Sequence, residues 1–274
     1  MNIVKLNNGV EMPQLGFGVW QVPDAEATPA VSEAIRAGYR SIDTAAIYGN
    51  EAGTGAAVAQ SGVAREELFV TTKLWNSEQG YDATLRAFDE SLRKLGLDVL
   101  DLYLIHWPTP ARDLYVDTWK AFVELQKEGR VRAIGVSNFQ PAHLRRLIDE
   151  TGVVPAVNQI ELHPYLQQAD LRAFHAEHGI QTEAWSPLGQ GGELLGDPVV
   201  TEIAARHQRS AAQVVLRWHL QLGNIVIPKS VTPSRIRENI AVFDFELAEE
   251  EMAALSTLDR GGRIGPNPDE FNQA

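Results

Sequence analysis

The sequence predicts an α/β protein, a closed (β/α)₈ TIM barrel in which eight parallel strands alternate with helices. Three observations favour this fold. Eight short runs rich in β-branched and apolar residues recur along the chain. The stretches between them carry apolar residues at helical spacing, and several end at a glycine, as helices commonly do. Eight such units in a domain of this length suit a closed barrel better than an open, doubly wound sheet.

The predicted strands are spaced so that a helix fits after each of them. In order they are LGFGVW (15–20), YRSID (39–43), LFVTTK (68–73), VLDLYLIH (99–106), RAIGVSN (132–138), AVNQ (156–159), IQTEAWS (180–186) and NIVIPK (224–229). The clearest helical stretches are AEATPAVSEAIRAG (25–38), ATLRAFDESLRKLG (83–96), VDTWKAFVELQKEG (116–129) and PAHLRRLIDETG (141–152). Each of these stretches ends in glycine, which readily adopts the left-handed backbone of a helix C-terminus.

Further pieces lie outside the eight units. IVKLNNGVEMP (3–13) predicts a hairpin with an Asn-Gly turn, and we expect it to cover the floor of the barrel. Residues 211–222 predict a helix in addition to the one at 199–207, and the tail from Gly261, rich in Gly, Pro and Asn, predicts a loop. No linker or low-complexity segment interrupts the chain, so we expect one domain over residues 1–274.

The composition excludes several classes of function. The 274 residues hold 24 Lys and Arg against 36 Asp and Glu, a formal net charge of −12 at pH 7, which repels nucleic acid and anionic lipid. There is no cysteine, which excludes disulfides, thiolate nucleophiles and cysteine-ligated metal centres. The chain start lacks an apolar core of signal-peptide length, and no stretch approaches the roughly 20 apolar residues of a membrane span. We expect a monomer that works in the cytoplasm.

Polar residues stand at the carboxyl ends of seven predicted strands, where barrel enzymes carry their chemistry. They are Asp43, Lys73, His106, Asn138, Gln159, Ser186 and Lys229. Singly, each residue type has an ordinary explanation: a helix cap for an aspartate, solvated surface for a lysine, hydrogen-bonded packing for a histidine. Together at one rim, they favour an active site.

The motifs of several other sites are missing. No strand is followed by G-x-G-x-x-G, and IVIPKS has a proline where a P-loop needs its second glycine. H-E-x-x-H and G-x-S-x-G are absent, and His175 and His178 have no third ligand at a useful spacing. We therefore expect no metal ion, no Rossmann or Walker nucleotide site and no α/β-hydrolase nucleophile.

Seven stretches at successive strand ends carry a family pattern. They are GYRSIDTAAIYGNE (38–51), TTKLW (71–75), LYLIHWP (102–108), IGVSNF (134–139), NQIELHP (158–164), AWSPLGQG (184–191) and IPKSVTPSRIREN (227–239). Together they resemble the aldo-keto reductase family, over nearly the whole chain, and within it most closely the bacterial 2,5-diketo-D-gluconate reductase group. The resemblance implies NADPH-dependent reduction of aldehydes, ketones or dicarbonyls, keto-sugars such as 2,5-diketo-D-gluconate among them.

The resemblance assigns catalysis to Asp43, Tyr48, Lys73 and His106. Carbonyl reduction needs an acid at the carbonyl oxygen, and the phenol of Tyr48 could donate that proton. An ordinary tyrosine, with a pKa of about 10, is a poor acid at neutral pH, so we expect the Lys73 ammonium to lower the Tyr48 pKa. Asp43 would hold Lys73 in its charged form by an ion pair.

His106 could act in two ways. With an unperturbed pKa of about 6.5 it could itself be the acid. By resemblance it is the neutral partner that orients the carbonyl group, with Tyr48 as the acid, and we adopt this second role as a hypothesis. Trp20, Trp75 and Trp107 fall at or just beyond three strand ends, and with His106 they predict an apolar substrate-binding funnel.

The hydride must come from a cofactor, because no side chain can donate one. The resemblance places the nicotinamide and pyrophosphate of NADPH against residues at strand ends and in the glycine-rich SPLGQG loop. These residues are Ser137, Asn138, Gln159, Trp185, Ser186, Leu188 and Gln190.

The segment after the last strand predicts a phosphate site. Ser230, Thr232 and Arg235 flank the start of a predicted helix, where free N–H groups and the positive end of the helix dipole suit an anion. Lys229 and Arg235 add two cations, a combination that fits the adenosine 2′-phosphate of NADPH. The residues expected to meet the adenine are Glu238 and Asn239.

Two alternatives to a reductase stay open. The same barrel could bind NADPH in a regulatory or structural role with negligible turnover, because a fold and a cofactor site do not by themselves imply catalytic activity. It could also be an isomerase or aldolase that uses Lys73 as a Schiff base, although a carboxylate beside that lysine would keep it protonated.

Overall fold

A computed structural model describes residues 2–274, in which strands and helices alternate as the sequence predicts. The strands are β1 (Ile3–Lys5), β2 (Glu11–Pro13), β3 (Phe17–Gly18), β4 (Ser41–Asp43), β5 (Phe69–Leu74), β6 (Leu100–Ile105), β7 (Val131–Ser137), β8 (Val157–Glu161), β9 (Gln181–Trp185) and β10 (Ile225–Val226). The α-helices are α1 (Asp24–Ala37), α2 (Glu51–Gln60), α3 (Tyr81–Leu95), α4 (Tyr115–Lys127), α5 (Pro141–Thr151), α6 (Ala169–His178), α7 (Pro198–His207), α8 (Ala211–Gln221), α9 (Pro233–Ile240) and α10 (Glu249–Ser256). Short 3₁₀ turns lie at Ala46–Tyr48, Arg65–Glu67, Asn76–Glu78, Pro110–Arg112, Gly189–Gly191 and Glu193–Gly196.

The strands β3 to β10 form one parallel sheet in sequence order. The two edges of this sheet meet where Leu15 and Val226 form a parallel bridge. The N–H of Gly16 donates to the carbonyl of Val226 (2.8 Å), and the N–H of Gly18 donates to that of Pro228 (3.1 Å). The sheet therefore closes on itself, and the predicted (β/α)₈ barrel is confirmed.

The first and last barrel strands are shorter than the sequence predicts. β3 and β10 have two residues each, where six were predicted at each place. Pro228 has no N–H with which to continue the ladder of β10. In contrast, β8 runs two residues further than predicted, because Ile160 and Glu161 pair with the last two residues of β9.

The N-terminal hairpin covers the floor of the barrel, as predicted. β1 and β2 pair antiparallel, with Val4 opposite Met12. Gly9 in the connecting turn has a φ of 88°, a conformation that favours glycine. Leu6 and Met12 are buried in one apolar cluster with Leu102 of β6, whose side chain fills the lower barrel interior.

The C-terminal part also follows the prediction, with one addition. α8 is the extra helix, and it begins at Ala211 because Ser210 and Gln213 form a capping box (Gln213 N–H to Ser210 Oγ, 3.3 Å; Ser210 N–H to Gln213 Oε1, 3.1 Å). The tail from Gly261 has no helix or strand. α10 is not among the predicted elements, because its residues EEEMAALS include just two large apolar side chains.

The barrel interior changes character from floor to mouth. Its lower part is apolar, whereas the carboxyl ends of the strands bury polar side chains almost completely, including Asp43, Lys73 and Gln159. Lys73 is fully buried and ranks among the largest such side chains in residues 2–274. Burying polar groups is costly unless they find partners, so this end of the barrel is where a functional site is expected.

Candidate active site

The four predicted catalytic residues meet at the ends of neighbouring strands. Asp43 is the last residue of β4, Lys73 is in β5 and His106 follows β6 directly. Tyr48 ends the 3₁₀ turn that follows β4. The Nζ atom of Lys73 lies 5.1 Å from the centroid of the Tyr48 ring, and the Tyr48 and His106 rings stand edge to face with their centroids 5.8 Å apart. The structure thus brings all four together.

The turn that carries Tyr48 is fixed by a buried asparagine. The side-chain amide of Asn50 donates to the carbonyls of Val19 (2.9 Å) and Val22 (2.8 Å). Its Oδ1 atom accepts a hydrogen bond from the hydroxyl of Thr44 (2.6 Å). Asn50 therefore ties this turn to the loop after β3 and to the end of β4, which fixes the position of the phenol.

Lys73 stays charged although it is fully buried. Its Nζ atom donates to Asp43 Oδ1 (2.5 Å) and to the carbonyl of Thr44 (2.9 Å). Burial lowers the pKa of Lys73, but the Asp43 carboxylate, together with Tyr48, outweighs burial and raises the pKa above its usual value. An ammonium this strongly held cannot supply the free amine that a Schiff base needs, so the aldolase alternative is disfavoured.

Tyr48 does not have the lowered pKa that the sequence predicts. Burial raises its pKa, Lys73 lowers it, and the Asp43 carboxylate raises it again, so that the pKa lies above its usual value. The expected acidification by Lys73 is therefore wrong as a net effect, because burial outweighs the cation. The phenol stays protonated at neutral pH, which is the form that an acid requires.

His106 is neutral. Burial first, and then the charge on Lys73, hold the pKa of His106 well below 6.5. Its ring also stands edge to face against Trp75, with centroids 5.3 Å apart, and its buried Nδ1 atom has no hydrogen-bond partner in residues 2–274. A neutral imidazole can donate one hydrogen bond but is not the acid, which favours the orienting role over the acid role.

The residues assigned to the nicotinamide form one hydrogen-bonded group beside His106. Trp185 Nε1 donates to Asn138 Oδ1 (2.8 Å), and the Asn138 amide donates to the backbone carbonyl of His106 (3.0 Å). Asn138 has a φ of 64°, in the left-handed region that asparagine tolerates better than most residues. The Ser137 hydroxyl donates to the carbonyl of Gln159 (2.7 Å). These contacts fix the indole of Trp185 at the mouth.

Gln159 joins this group to the ion pair, and through it to a residue that the sequence analysis missed. The Gln159 Nε2 atom donates to Asp43 Oδ2 (2.8 Å) and to Glu183 Oε2 (3.0 Å). Glu183 is fully buried in β9. The signal that could have found it is its spacing from Trp185, because residues two apart in a strand share a face.

The loop after β9 exposes the residues assigned to the pyrophosphate. Ser186 and Leu188 are half-buried, and Gln190 is exposed. Ser186 has a φ of 47° and Gln190 one of 57°, so the loop curls through left-handed conformations, in which successive N–H groups can converge on an anion.

The residues assigned to the 2′-phosphate lie together at the start of α9. Lys229 and Arg235 are exposed, and across residues 2–274 neither takes part in an ion pair. The Ser230 hydroxyl accepts a hydrogen bond from the N–H of Thr232 (3.1 Å). Two unpaired cations beside a helix N-terminus fit a phosphate group.

The two residues assigned to the adenine differ in exposure. Glu238 is exposed, and its Oε1 atom accepts a hydrogen bond from the hydroxyl of Ser210 (2.6 Å). Asn239 is buried. Glu238 therefore has a structural partner already, which links α9 to the start of α8.

The three predicted rim tryptophans are exposed to different degrees. Trp20 is 42% exposed and Trp75 is half-buried beside His106. Trp107 is 7% exposed, because Phe271 of the C-terminal tail packs on it with ring centroids 4.6 Å apart. Phe271, which the sequence analysis missed, therefore covers part of the surface that Trp107 was expected to offer.

The tail is held over the mouth by a buried carboxylate. Glu161, at the end of β8, accepts hydrogen bonds from the N–H groups of Ile264 (2.7 Å) and Gly265 (2.8 Å) and from His163 Nε2 (3.0 Å). A Cβ atom at Gly265 would lie 2.6 Å from the Trp185 ring. The tail thus needs glycine where it crosses the indole.

A family model described as the aldo/keto reductase family matches residues 13–260. The chain belongs to the aldo/keto reductase family. This aldo/keto reductase is 62% identical to an aldo-keto reductase of Mycobacterium sp. (strain KMS) and 57% identical to the methylglyoxal reductase DkgA of Salmonella typhimurium (strain LT2), in each case over 98% of both chains. It superposes on the crystal structure of a Gox0644 mutant in complex with NADPH with a TM-score of 0.95, at 54% identity over 98% of both chains.

Across residues 2–274, no helix is both long and apolar enough to span a bilayer.

Proposed function

We propose that the chain uses NADPH to reduce aldehydes, ketones and dicarbonyls to alcohols, with Tyr48 as the general acid. The observation that carries the proposal is the buried ion pair of Asp43 and Lys73 beside the Tyr48 phenol. A buried ion pair is weak evidence for stability, because apolar residues in its place are often neutral or stabilising. Its position at the mouth of the barrel therefore calls for a chemical role.

That role is to support proton transfer from Tyr48. The phenol donates its proton to the carbonyl oxygen as negative charge develops there. The alkoxide that would otherwise form is a stronger base than a phenolate, so the transfer is favourable even though burial raises the Tyr48 pKa. Lys73 then stabilises the phenolate, and neutral His106 donates a hydrogen bond that orients the substrate oxygen.

NADPH, when bound, supplies the hydride. The residues proposed to hold it are Ser137, Asn138, Gln159, Trp185, Ser186, Leu188, Gln190, Lys229, Ser230, Thr232, Arg235, Glu238 and Asn239. Two features of the chain fit this cofactor. The Trp185 indole is anchored by Asn138, so that it can limit a planar ring to one orientation. Lys229 and Arg235 are cations with no carboxylate partner in residues 2–274, which suits an added phosphate group.

We propose small α-dicarbonyls as the first substrates to test, with keto-sugars next. The proposed pocket is lined by Trp20, Trp75, His106 and Trp107, with Phe271 on the tail side. Two observations support this class: the name of the Salmonella relative is methylglyoxal reductase, and Phe271 of the tail packs on Trp107, which covers part of the wall proposed to bind the substrate.

The deciding experiment is an assay with purified protein and NADPH. Methylglyoxal, phenylglyoxal and 2,5-diketo-D-gluconate are added in turn, and the loss of reduced nicotinamide absorbance is followed. Turnover with any of these substrates that is lost in Asp43→Asn supports the proposal. Tight NADPH binding without turnover on any carbonyl compound would make the chain an NADPH-binding barrel instead.

We also propose that residues 1–274 form one domain and that the protein is a cytoplasmic monomer that binds no nucleic acid. The formal net charge of −12 disfavours binding to nucleic acid. The absence of cysteine fits a reducing compartment. Light scattering after gel filtration tests the monomer, for which a mass of 30.2 kDa is expected.

A further inference from the structure

A buried glutamate lies beneath the proposed catalytic residues. Glu183 sits in the middle of β9, in register with Gln159 of β8 on one side and Ile225 of β10 on the other. It is fully buried, and its Oε1 atom has no hydrogen-bond partner in residues 2–274. Neither the floor of the barrel nor the proposed proton transfer accounts for a carboxyl group at this position.

Within residues 2–274, the one hydrogen bond of the Glu183 side chain connects it to the site. Gln159 Nε2 donates one hydrogen to Glu183 Oε2 (3.0 Å) and the other to Asp43 Oδ2 (2.8 Å). Both hydrogens of that amide nitrogen are therefore committed inside the barrel. The amide oxygen of Gln159 is left as the atom that can accept a hydrogen bond from a bound group.

The charges around Glu183 disfavour its ionised form. The charged and titratable groups that face it are Asp43, Lys73 and Tyr48, while its strand neighbours Gln159 and Ile225 are neutral. Burial, and then the Asp43 carboxylate, raise the pKa of Glu183 to about 8, against smaller opposing effects of Gln159 and Lys73. One lysine cannot neutralise two buried carboxylates, so Glu183 carries a proton at neutral pH.

We propose that Glu183 is a positioning residue: its protonated carboxyl group orients the Gln159 amide and leaves Lys73 with Asp43 as its one anionic partner. The part that concerns turnover rests on the function proposed above. Ionisation of Glu183 places a second anion under the site. That anion opposes charge developing on the substrate oxygen, raises the proton affinity of Tyr48, and favours a cationic, oxidised nicotinamide over a neutral, reduced one.

The first test uses the protein without cofactor and does not depend on its activity. Unfolding by urea is measured from pH 5 to 9 for the wild type, for Glu183→Gln and for Glu202→Gln, which removes an exposed carboxylate from α7, paired with Arg206 outside the barrel. Because folding raises the pKa of Glu183, wild-type stability relative to Glu183→Gln falls as the pH rises towards about 8 and levels off above it. Glu202→Gln should keep the wild-type trend, because neither Glu202 nor its partner Arg206 titrates in this range. A constant difference between wild type and Glu183→Gln overturns the proposal.

The second test separates positioning from mere packing. Glu183→Gln keeps an oxygen that can accept from Gln159, so its dissociation constant for NADPH should stay within about twofold of wild type, whereas Glu183→Ala should weaken binding about tenfold. In the wild type, kcat/KM for carbonyl reduction should fall above about pH 8, and Glu183→Gln should lack this step. Unchanged NADPH binding in Glu183→Ala, or the same step in Glu183→Gln, overturns the positioning role. If no carbonyl compound is reduced at all, the proposed function fails while the unfolding test still reports on Glu183.

Discussion

Lys73 keeps its charge while His106, buried just after the end of the next strand, is held neutral. Asp43 holds the proton on Lys73, and burial together with the Lys73 cation keeps a proton off His106. The site therefore has a single buried cation among these groups. Tyr48 is left as the protonated group that can serve as an acid at neutral pH.

Removing the Lys73 cation alone should cost stability as well as activity. Lys73→Met leaves the Asp43 carboxylate buried without its partner, and we expect a loss of about 3–5 kcal/mol in the free energy of unfolding. Asp43→Asn/Lys73→Met removes both charges and should be less destabilised than the sum of the two single variants. Urea unfolding of all four proteins measures this coupling. Additive losses would show that the pair is not a coupled unit.

Arg235 should discriminate between the two nicotinamide cofactors. Arg235→Ala removes a cation proposed to contact the 2′-phosphate, so KM should rise about 10-fold or more for NADPH and change little for NADH. Arg237→Ala is the matched control on the same helix, because Arg237 already pairs with Glu33. Equal effects of Arg235→Ala on both cofactors would contradict the phosphate assignment.

Buried neutral histidines should make the protein less stable in acid. Burial lowers the pKa of both His175 and His219 from 6.5 to about 3, and it also lowers that of His106. In the unfolded chain these residues bind protons below about pH 6.5, so the free energy of unfolding should fall as the pH drops from 6.5. This slope of the free energy of unfolding against pH reports how many more protons the unfolded chain binds than the folded one. His175→Asn should lower that number by about one, as measured by urea unfolding between pH 4 and 7.5. An unchanged slope would place a proton on His175 in the folded state.

Sequence could predict the fold and most of the site because both follow local rules. Each barrel strand can be recognised from its own run of apolar and β-branched residues, and catalytic residues of barrel enzymes lie at the carboxyl ends of the strands. These two rules place Asp43, Lys73 and His106 without long-range information. The rest depends on contacts distant in the chain. Phe271 reaches Trp107 because the backbone of the tail binds Glu161, some hundred residues earlier, and no local pattern encodes that contact.

The sequence also could not predict the direction of the Tyr48 pKa shift or the hydrogen bonds of Glu183. Whether the pKa of Tyr48 rises or falls depends on whether burial and the Asp43 anion outweigh the Lys73 cation. This comparison requires the positions of the three groups in space. The hydrogen bonds that connect Glu183 through Gln159 to Asp43 depend on how three strands are aligned with one another. The sequence predicts the strands but not this alignment.

The most direct test of the account is Tyr48→Phe, which removes the phenolic proton and keeps the ring. We expect kcat for carbonyl reduction to fall by about 10²–10⁴-fold while the dissociation constant for NADPH, measured by fluorescence titration, stays within about twofold of wild type. His106→Gln, which keeps a hydrogen-bond donor, should lose less. A Tyr48→Phe enzyme that retains most of its kcat would contradict the account and transfer the acid role to another group.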